Sequence, residues 1–191
     1  MNIEEKHKFF NELGFFTLCN AAPALGRFLK DTIMISSPKT ELVSMADIEK
    51  EIKNLVYTTV VFNGGEIGET HVFLTEKDAM CLAKYVIKQR LNSEKDVEEW
   101  DEFSINAVEE VMNILGGNMT EILTVVFGKG VIIDVPELKY GKDSVELYPK
   151  DEELVLNTFT MHLGTGEKIK MKEIAKASYY KELVNQLRNR V

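Results

Sequence analysis

Glu110-Val111-Met112-Asn113-Ile114-Leu115-Gly116-Gly117-Asn118 lies over Glu12-Leu13-Gly14-Phe15-Phe16-Thr17-Leu18-Cys19-Asn20 without a gap, at an offset of 98 residues. The register continues beyond these stretches. Leu25 meets Leu123, Ile33-Met34-Ile35 meets Val131-Ile132-Ile133, and Pro38 meets Pro136. A repeat of this length sets the organisation of a chain before any local motif is read. Each copy opens with apolar residues at helical spacing over 3–18 and 99–115, with charges on the opposite face. A second helical stretch is expected over 20–30 and 118–128, with Asn20 and Asn118 as N-caps after a break at the small-residue junction Gly116-Gly117.

Beyond the helices, each copy has a strand ending near its proline, then an alternating strand over 55–62 or 154–162 rich in Val, Thr, Phe and Leu. Gly64-Gly65 and Gly164-Thr165-Gly166 read as hairpin turns into return strands 66–74 and 167–175. Closing helices are expected over 76–91, opening at Thr75, and 178–190, opening at Ser178. The charged stretch 92–99 is the expected linker. Two such units would bury their apolar sheet faces together. The expected fold is α+β, with two pseudo-symmetric helix-strand repeats forming one continuous antiparallel sheet packed against long helices. The expected domain is single, 1–191, with repeat one over about 3–91 and repeat two over about 99–190.

Composition narrows the function. A chain of 191 residues buries about 70% of the surface its unfolded form exposes, which suffices for one sizeable core. A net charge of -8 opposes a nucleic-acid backbone. No apolar run is long enough for a membrane span, and Met1-Asn2-Ile3-Glu4-Glu5-Lys6 lacks the apolar core of a signal peptide, so the expected location is the cytoplasm. Cys19 and Cys81 are isolated and are expected to be reduced and buried; His7, His71 and His162 are scattered and form no metal-ligand pattern. Phosphate-binding glycine loops, the serine nucleophile elbow and the zinc-protease motif are missing from the sequence.

What remains is a stripe on the helix opening repeat two: Asn106, Glu110, Asn113 and Gly117, spaced four, three and four apart and therefore on one face. Ile105, Val108, Val111, Met112 and Leu115 lie opposite. A solvated helix face is the plain alternative. Against it, Asn is a poor helix former where Lys or Glu serves better. Repeat one also carries Phe15 where repeat two has Asn113, so parallel helices differ at the polar position a site needs.

Glu110-x-x-Asn113 with Pro136 beyond it, repeated as Glu12-x-x-Phe15 with Pro38 at the same interval, resembles the CheC/CheX/FliY family of chemotaxis phosphatases. Gly14 to Leu25, ending Asn20-Ala21-Ala22-Pro23-Ala24-Leu25, is similar to that family's small-residue stretch, and Ser37 to Val43 to its strand-turn segment. The family position four before the glutamate is usually Asp or Ser and is Asn106 here. The resemblance implies dephosphorylation of the aspartyl phosphate of a CheY-type response regulator. Asn113 would orient the attacking water, and Glu110 would hold a lysine of the regulator. Asn106, Gly117 and Pro136 would shape the docking surface. It implies no cofactor or metal of the chain's own, with Mg2+ supplied by the regulator. A non-catalytic module of the same fold, a flagellar switch component or an adaptor for a CheD-type deamidase, is the alternative.

Overall fold

The structure, a computed structural model, describes residues 8, 11–12, 14–15, 18–36, 38–63, 68–91, 99–128, 130–139 and 147–188. Lys8, Asn11, Glu12, Gly14, Phe15, Leu18 and Cys19 are helical. There follow α1 (Ala21–Leu29), β1 (Met34–Ile35), β2 (Lys39–Ser44), α2 (Met45–Ile52), β3 (Val56–Asn63), β4 (Glu69–Leu74) and α3 (Glu76–Leu91). The second half holds α4 (Glu102–Phe127), β5 (Ile132–Ile133), β6 (Glu137–Lys139), β7 (Glu153–His162), β8 (Lys168–Lys176) and α5 (Ala177–Arg188).

One antiparallel sheet runs β1-β7-β8-β4-β3-β5, with β2 also on β7 and β6 also on β3. The short strands of each repeat therefore pair with the long strand of the other. Their registers agree residue for residue: Met34 faces His162 as Ile132 faces Asn63, and Thr40 faces Asn157 as Leu138 faces Thr58. At the centre, β4 and β8 place His71 opposite Ile174, Val72 opposite Glu173 and Phe73 opposite Lys172. A pseudo-two-fold axis passes through the Val72–Glu173 pair. The exchange of strands makes the sheet continuous and ties the two repeats into one architecture.

Alternation along the strands gives each sheet face its cover. Val56, Thr58, Val60 and Phe62 are buried on β3 while the residues between them are half-exposed. That face meets α1, α3, α4 and α5 through Val72, Leu82, Val111, Met112, Phe159 and Leu123, among others. The second face is covered by α2, whose Met45, Ile48 and Ile52 pack on Phe73, Leu154, Leu156 and Ile174. Ser44 and Asp47 form a capping box that starts α2. β4 and β8, covered on both sides, read as nearly continuous buried runs at their inner ends.

Several expectations need correction. Gly116-Gly117 does not break a helix, because α4 is continuous through both for 26 residues. Asn118 is accordingly not an N-cap; its Nδ2 donates back to the Ile114 carbonyl at 2.8 Å. Asn20 has helical backbone angles and makes no side-chain capping bond. Cys19 and Cys81 are free but half-buried rather than buried. The helix α2 and strand β6 were not expected. The Gly64-Gly65 turn and most of the 92–99 linker lie outside the described residues. No described helix is long and apolar enough to cross a membrane.

Candidate functional site

The helix that carries the stripe is fixed at both ends. Asp101 and Ser104 cap its start reciprocally, with Ser104 N–H donating to Asp101 Oδ1 at 2.9 Å and Asp101 N–H to Ser104 Oγ at 2.8 Å. Gly128 ends it in the left-handed region at φ 68°, where a residue without Cβ is unstrained. Between them Ala107, Val108, Val111, Met112, Leu115, Met119 and Leu123 are buried. Asn106, Glu110 and Asn113 are all exposed on the other side, and Gly117 is half-exposed.

Two consecutive glycines face different surroundings. A Cβ on Gly116 would stand 2.9 Å from Val60 Cγ1 and 3.1 Å from Ile133 Cδ1, so the helix lies close on β3 and β5 only because that Cβ is missing. A Cβ on Gly117 would meet nothing within 4 Å. The chain's own packing therefore leaves room for a side chain at Gly117.

The link from β5 to β6 runs alongside this turn of α4 and is pinned at each end. Asp134 accepts from Asn63 Nδ2 at 2.6 Å and donates its N–H to the Val61 carbonyl at 3.1 Å. At the far end the Leu138 N–H donates to Glu109 Oε1 at 2.8 Å. Pro136 is buried between these anchors, whereas Val135 is 82% exposed. The contacts Gly116–Ile133 and Glu109–Leu138 bracket the helix turn that carries Asn113. Asn106, Glu110, Asn113 and Gly117 thus share an open face, while Pro136 supports the adjoining loop from below.

The same construction appears in repeat one. The Thr40 N–H donates to Asn11 Oδ1 at 3.0 Å, and Asn11 and Thr40 stand 98 residues before Glu109 and Leu138. Pro38 is buried as Pro136 is, and Lys8, Glu12 and Phe15 are exposed as Asn106, Glu110 and Asn113 are. The anchoring residues Asn11 and Glu109 were overlooked in the sequence. The 98-residue alignment pairs two hydrogen-bond acceptors there, immediately before each glutamate, and that was the available signal.

The floor beneath the two helices differs. Asn157 Oδ1 accepts from Thr40 Oγ1 at 2.6 Å, and its Nδ2 donates to Glu173 Oε2 at 2.9 Å and to the Tyr180 hydroxyl at 2.8 Å. Thr70 Oγ1 donates to Glu173 Oε1 at 2.9 Å. Burial pushes the Glu173 carboxyl up, opposed by the hydrogen bonds from Asn157 and Thr70. His71, on the opposite face, is held down at about 4 by burial and by the charge of Lys139, and is neutral near pH 7. Its Nδ1 meets Thr59 Oγ1 at 3.0 Å, while Nε2 has no hydrogen-bond partner among the described residues.

Comparison with solved structures decides the fold. FliY of Thermotoga maritima superposes with a TM-score of 0.80 over 100% of both chains, at 19% identity. The chain has the CheC/CheX/FliY fold. The middle domain of FliM from H. pylori shares it, with a TM-score of 0.75, 8% identity and coverage of 97% and 99%. So does CheX of Borrelia burgdorferi, solved as a CheX-CheY-BeF3-Mg2+ complex, with a TM-score of 0.54, 23% identity and coverage of 85% and 96%. In sequence, the chain is similar to the flagellar motor switch phosphatase FliY of Bacillus subtilis (strain 168), 22% identical over 183 residues and 93% of this chain. The chain spans about half, 48%, of that relative's length. No family model matches. The resemblance read from Glu110, Asn113 and Pro136 thus led to the fold that the coordinates have.

Proposed function

We propose that this chain dephosphorylates the aspartyl phosphate of a CheY-type response regulator, with α4 laid against the regulator's phosphorylation site. The observation that carries the reading is the joint exposure of Glu110 and Asn113, one turn apart on a helix whose opposite face is buried. The solved CheX–CheY complex, in the same fold, supports the choice of partner.

An acyl phosphate is already activated, so the helper has only to hold a water in line with the P–O bond. The Asn113 amide can accept from that water and donate to a phosphoryl oxygen without adding negative charge. Glu110, as a carboxylate, accepts from a lysine of the regulator and so fixes the helix in place. Mg2+ held by the regulator offsets the phosphoryl charge; the chain brings none. Asn106 and Gly117 extend the docking face along α4, and Pro136 sets the height of the loop beside it. This chemistry suits a protein working in the cytoplasm, where response regulators are phosphorylated.

The FliM likeness favours a second reading, a switch or adaptor module that binds a regulator, or a CheD-type deamidase, without catalysis. The presence of both Glu110 and Asn113 favours catalysis, since a binding module has no use for the water-orienting amide. Single-turnover phosphate release measured beside equilibrium binding tests the division of labour. Asn113→Ala should slow release by roughly two to three decades, with affinity for the phosphorylated regulator kept within a few-fold. Glu110→Ala should weaken binding by about ten-fold or more, the loss of a charge-assisted hydrogen bond. Near-normal release by Asn113→Ala would overturn catalysis and leave the binding module.

A further inference from the structure

Between β5 and β6 lie only Asp134, Val135 and Pro136. The link is held at both ends, by the bonds of Asp134 to Asn63 and Val61 and by the Leu138 N–H on Glu109. Within it Pro136 is buried, has a fixed φ, and confines Val135 before it to extended backbone. Val135 is therefore a firmly mounted apolar side chain in open solvent. Single exposed apolar residues are common on protein surfaces. Val135 stands out by where it is held and by what repeat one has in its place.

Glu109 and Gly116 are the α4 residues that reach the ends of this link, at Leu138 and Ile133. They are seven residues apart and so lie on one line of the helix. At roughly 100° per residue, Asn113 is about 50° from that line and Glu110 about 110°, both on the same side. The loop thus stands on the Asn113 side of the polar stripe. A partner that covers both Glu110 and Asn113 comes against it.

Repeat one has the same frame with a different tip. Ser36 donates its N–H to the Thr160 carbonyl as Asp134 does to Val61, Thr40 donates to Asn11 as Leu138 does to Glu109, and Pro38 is buried as Pro136 is. Met34 and Ile132 are equivalent and both exposed, so apolar exposure on those two strands belongs to the frame. At the position of Val135, however, the sequence of repeat one has Ser37, and at the position of Asn113 it has Phe15. The apolar tip and the amide occur together, in one half only.

We propose that Val135 is a docking contact for the phosphorylated regulator on the Asn113 side of α4, and that Glu109 is a positioning residue that holds the loop where Val135 can make this contact. The inference rests on the reading of α4 as the regulator-binding face and adds a second element to it. Glu109 accepts the Leu138 N–H through one carboxylate oxygen, so a glutamine can replace it and an alanine cannot.

Affinity is measured for a CheY-type regulator in its beryllofluoride–Mg2+ form, and single-turnover release for the same regulator charged with acetyl phosphate. Val135→Ser, which installs the repeat-one residue, should weaken binding about ten-fold, as expected for one valine side chain no longer buried. The loss should fall on affinity, with release at saturating concentration within about two-fold of the parent chain. Glu109→Ala should weaken binding several-fold in the same way, and Glu109→Gln should hold affinity within about two-fold of the parent. Because Glu109 acts through Val135, Glu109→Ala should bring no further loss in the Val135→Ser chain, a coupling that a general loosening of the fold does not produce. Asn11→Ala removes the equivalent bond of repeat one and should leave affinity unchanged. The inference is overturned if Val135→Ser binds as the parent does, if Glu109→Gln loses as much as Glu109→Ala, if the two losses multiply, or if Asn11→Ala matches Glu109→Ala. In each of these cases a parent chain that binds and releases phosphate leaves the phosphatase reading standing. A parent chain that does not bind the regulator overturns both.

Discussion

The two repeats share a frame and differ in what lies on either side of it. Above the sheet, repeat two presents Asn106, Glu110 and Asn113, where repeat one presents Lys8, Glu12 and Phe15, the last 45% exposed. Below the helices the contrast is reversed. Repeat one rests on Asn157, hydrogen-bonded to Thr40, Glu173 and Tyr180, while the register-equivalent residue under repeat two is Thr58, whose hydroxyl has no partner among the described residues. The half with the polar exposed face thus has the simpler floor, and the half with a phenylalanine in that face has the networked one. Duplication fixed the strand register and the anchoring bonds. Face and floor were free to diverge, because neither sets which strand pairs with which.

The sharpest way to break this comparison is to remove the two floor residues. Asn157→Ala strands a buried carboxylate oxygen of Glu173 and the Thr40 hydroxyl together, and opens a cavity beside Gly14, whose Cβ would lie 3.2 Å from Asn157 Oδ1. A loss of about 3 kcal/mol is expected, since a buried network loses its central member. Thr58→Val, of nearly the same shape, removes an unpaired buried hydroxyl and should stabilise by about 1 kcal/mol. Urea unfolding of both variants measures the contrast. Equal losses would show that the floors are equivalent after all.

The frame was legible because it is written in spacing. Helix periodicity, strand alternation and the 98-residue register placed α3 at its observed bounds and β3, β4, β7 and β8 within a few residues, and they put Glu110 and Asn113 on the outer face of α4. The unseen parts depend on tertiary contact. Gly116-Gly117 resembles a helix break, yet Gly116 is there so that α4 can lie on Val60 and Ile133, and the helix tolerates both glycines because packing outweighs propensity. Strand β6 is only three residues long and owes its place to Thr58 and to the Glu109 carboxylate. The buried network joins residues as far apart as Thr40 and Asn157, and no local pattern announces it.

The two glycines of α4 sharpen the comparison further, with a smaller effect. Gly116→Ala gains helix propensity of about 1 kcal/mol but crowds a β-branched neighbour at 2.9 Å, for a net loss of roughly 1 kcal/mol. Gly117→Ala meets nothing and should stabilise by about 1 kcal/mol. If Gly117 keeps the face flat for a regulator, as proposed, that more stable variant should bind the phosphorylated regulator more weakly. Thermal denaturation beside the binding assay reads both effects. A Gly117→Ala variant that gains stability and keeps full affinity would remove Gly117 from the docking face.

The smallest expected effect is the most direct test of whether the repeats are interchangeable. Phe15→Asn restores an amide at the position equivalent to Asn113, beside a glutamate that is already exposed at Glu12. Stability should change by no more than about 0.5 kcal/mol, because the phenylalanine is nearly half-exposed and contributes little core. Phosphate release should also stay where it was. Lys8 holds the position of Asn106 and would meet the regulator's lysine with like charge, so the regulator is turned away before the new amide can act. The measurement is made in an Asn113→Ala background, where any release must come from repeat one. Adding Lys8→Asn to Phe15→Asn should then raise release above background, and release by Phe15→Asn alone would mean that the amide, not the charge two turns earlier, was all that repeat one lacked.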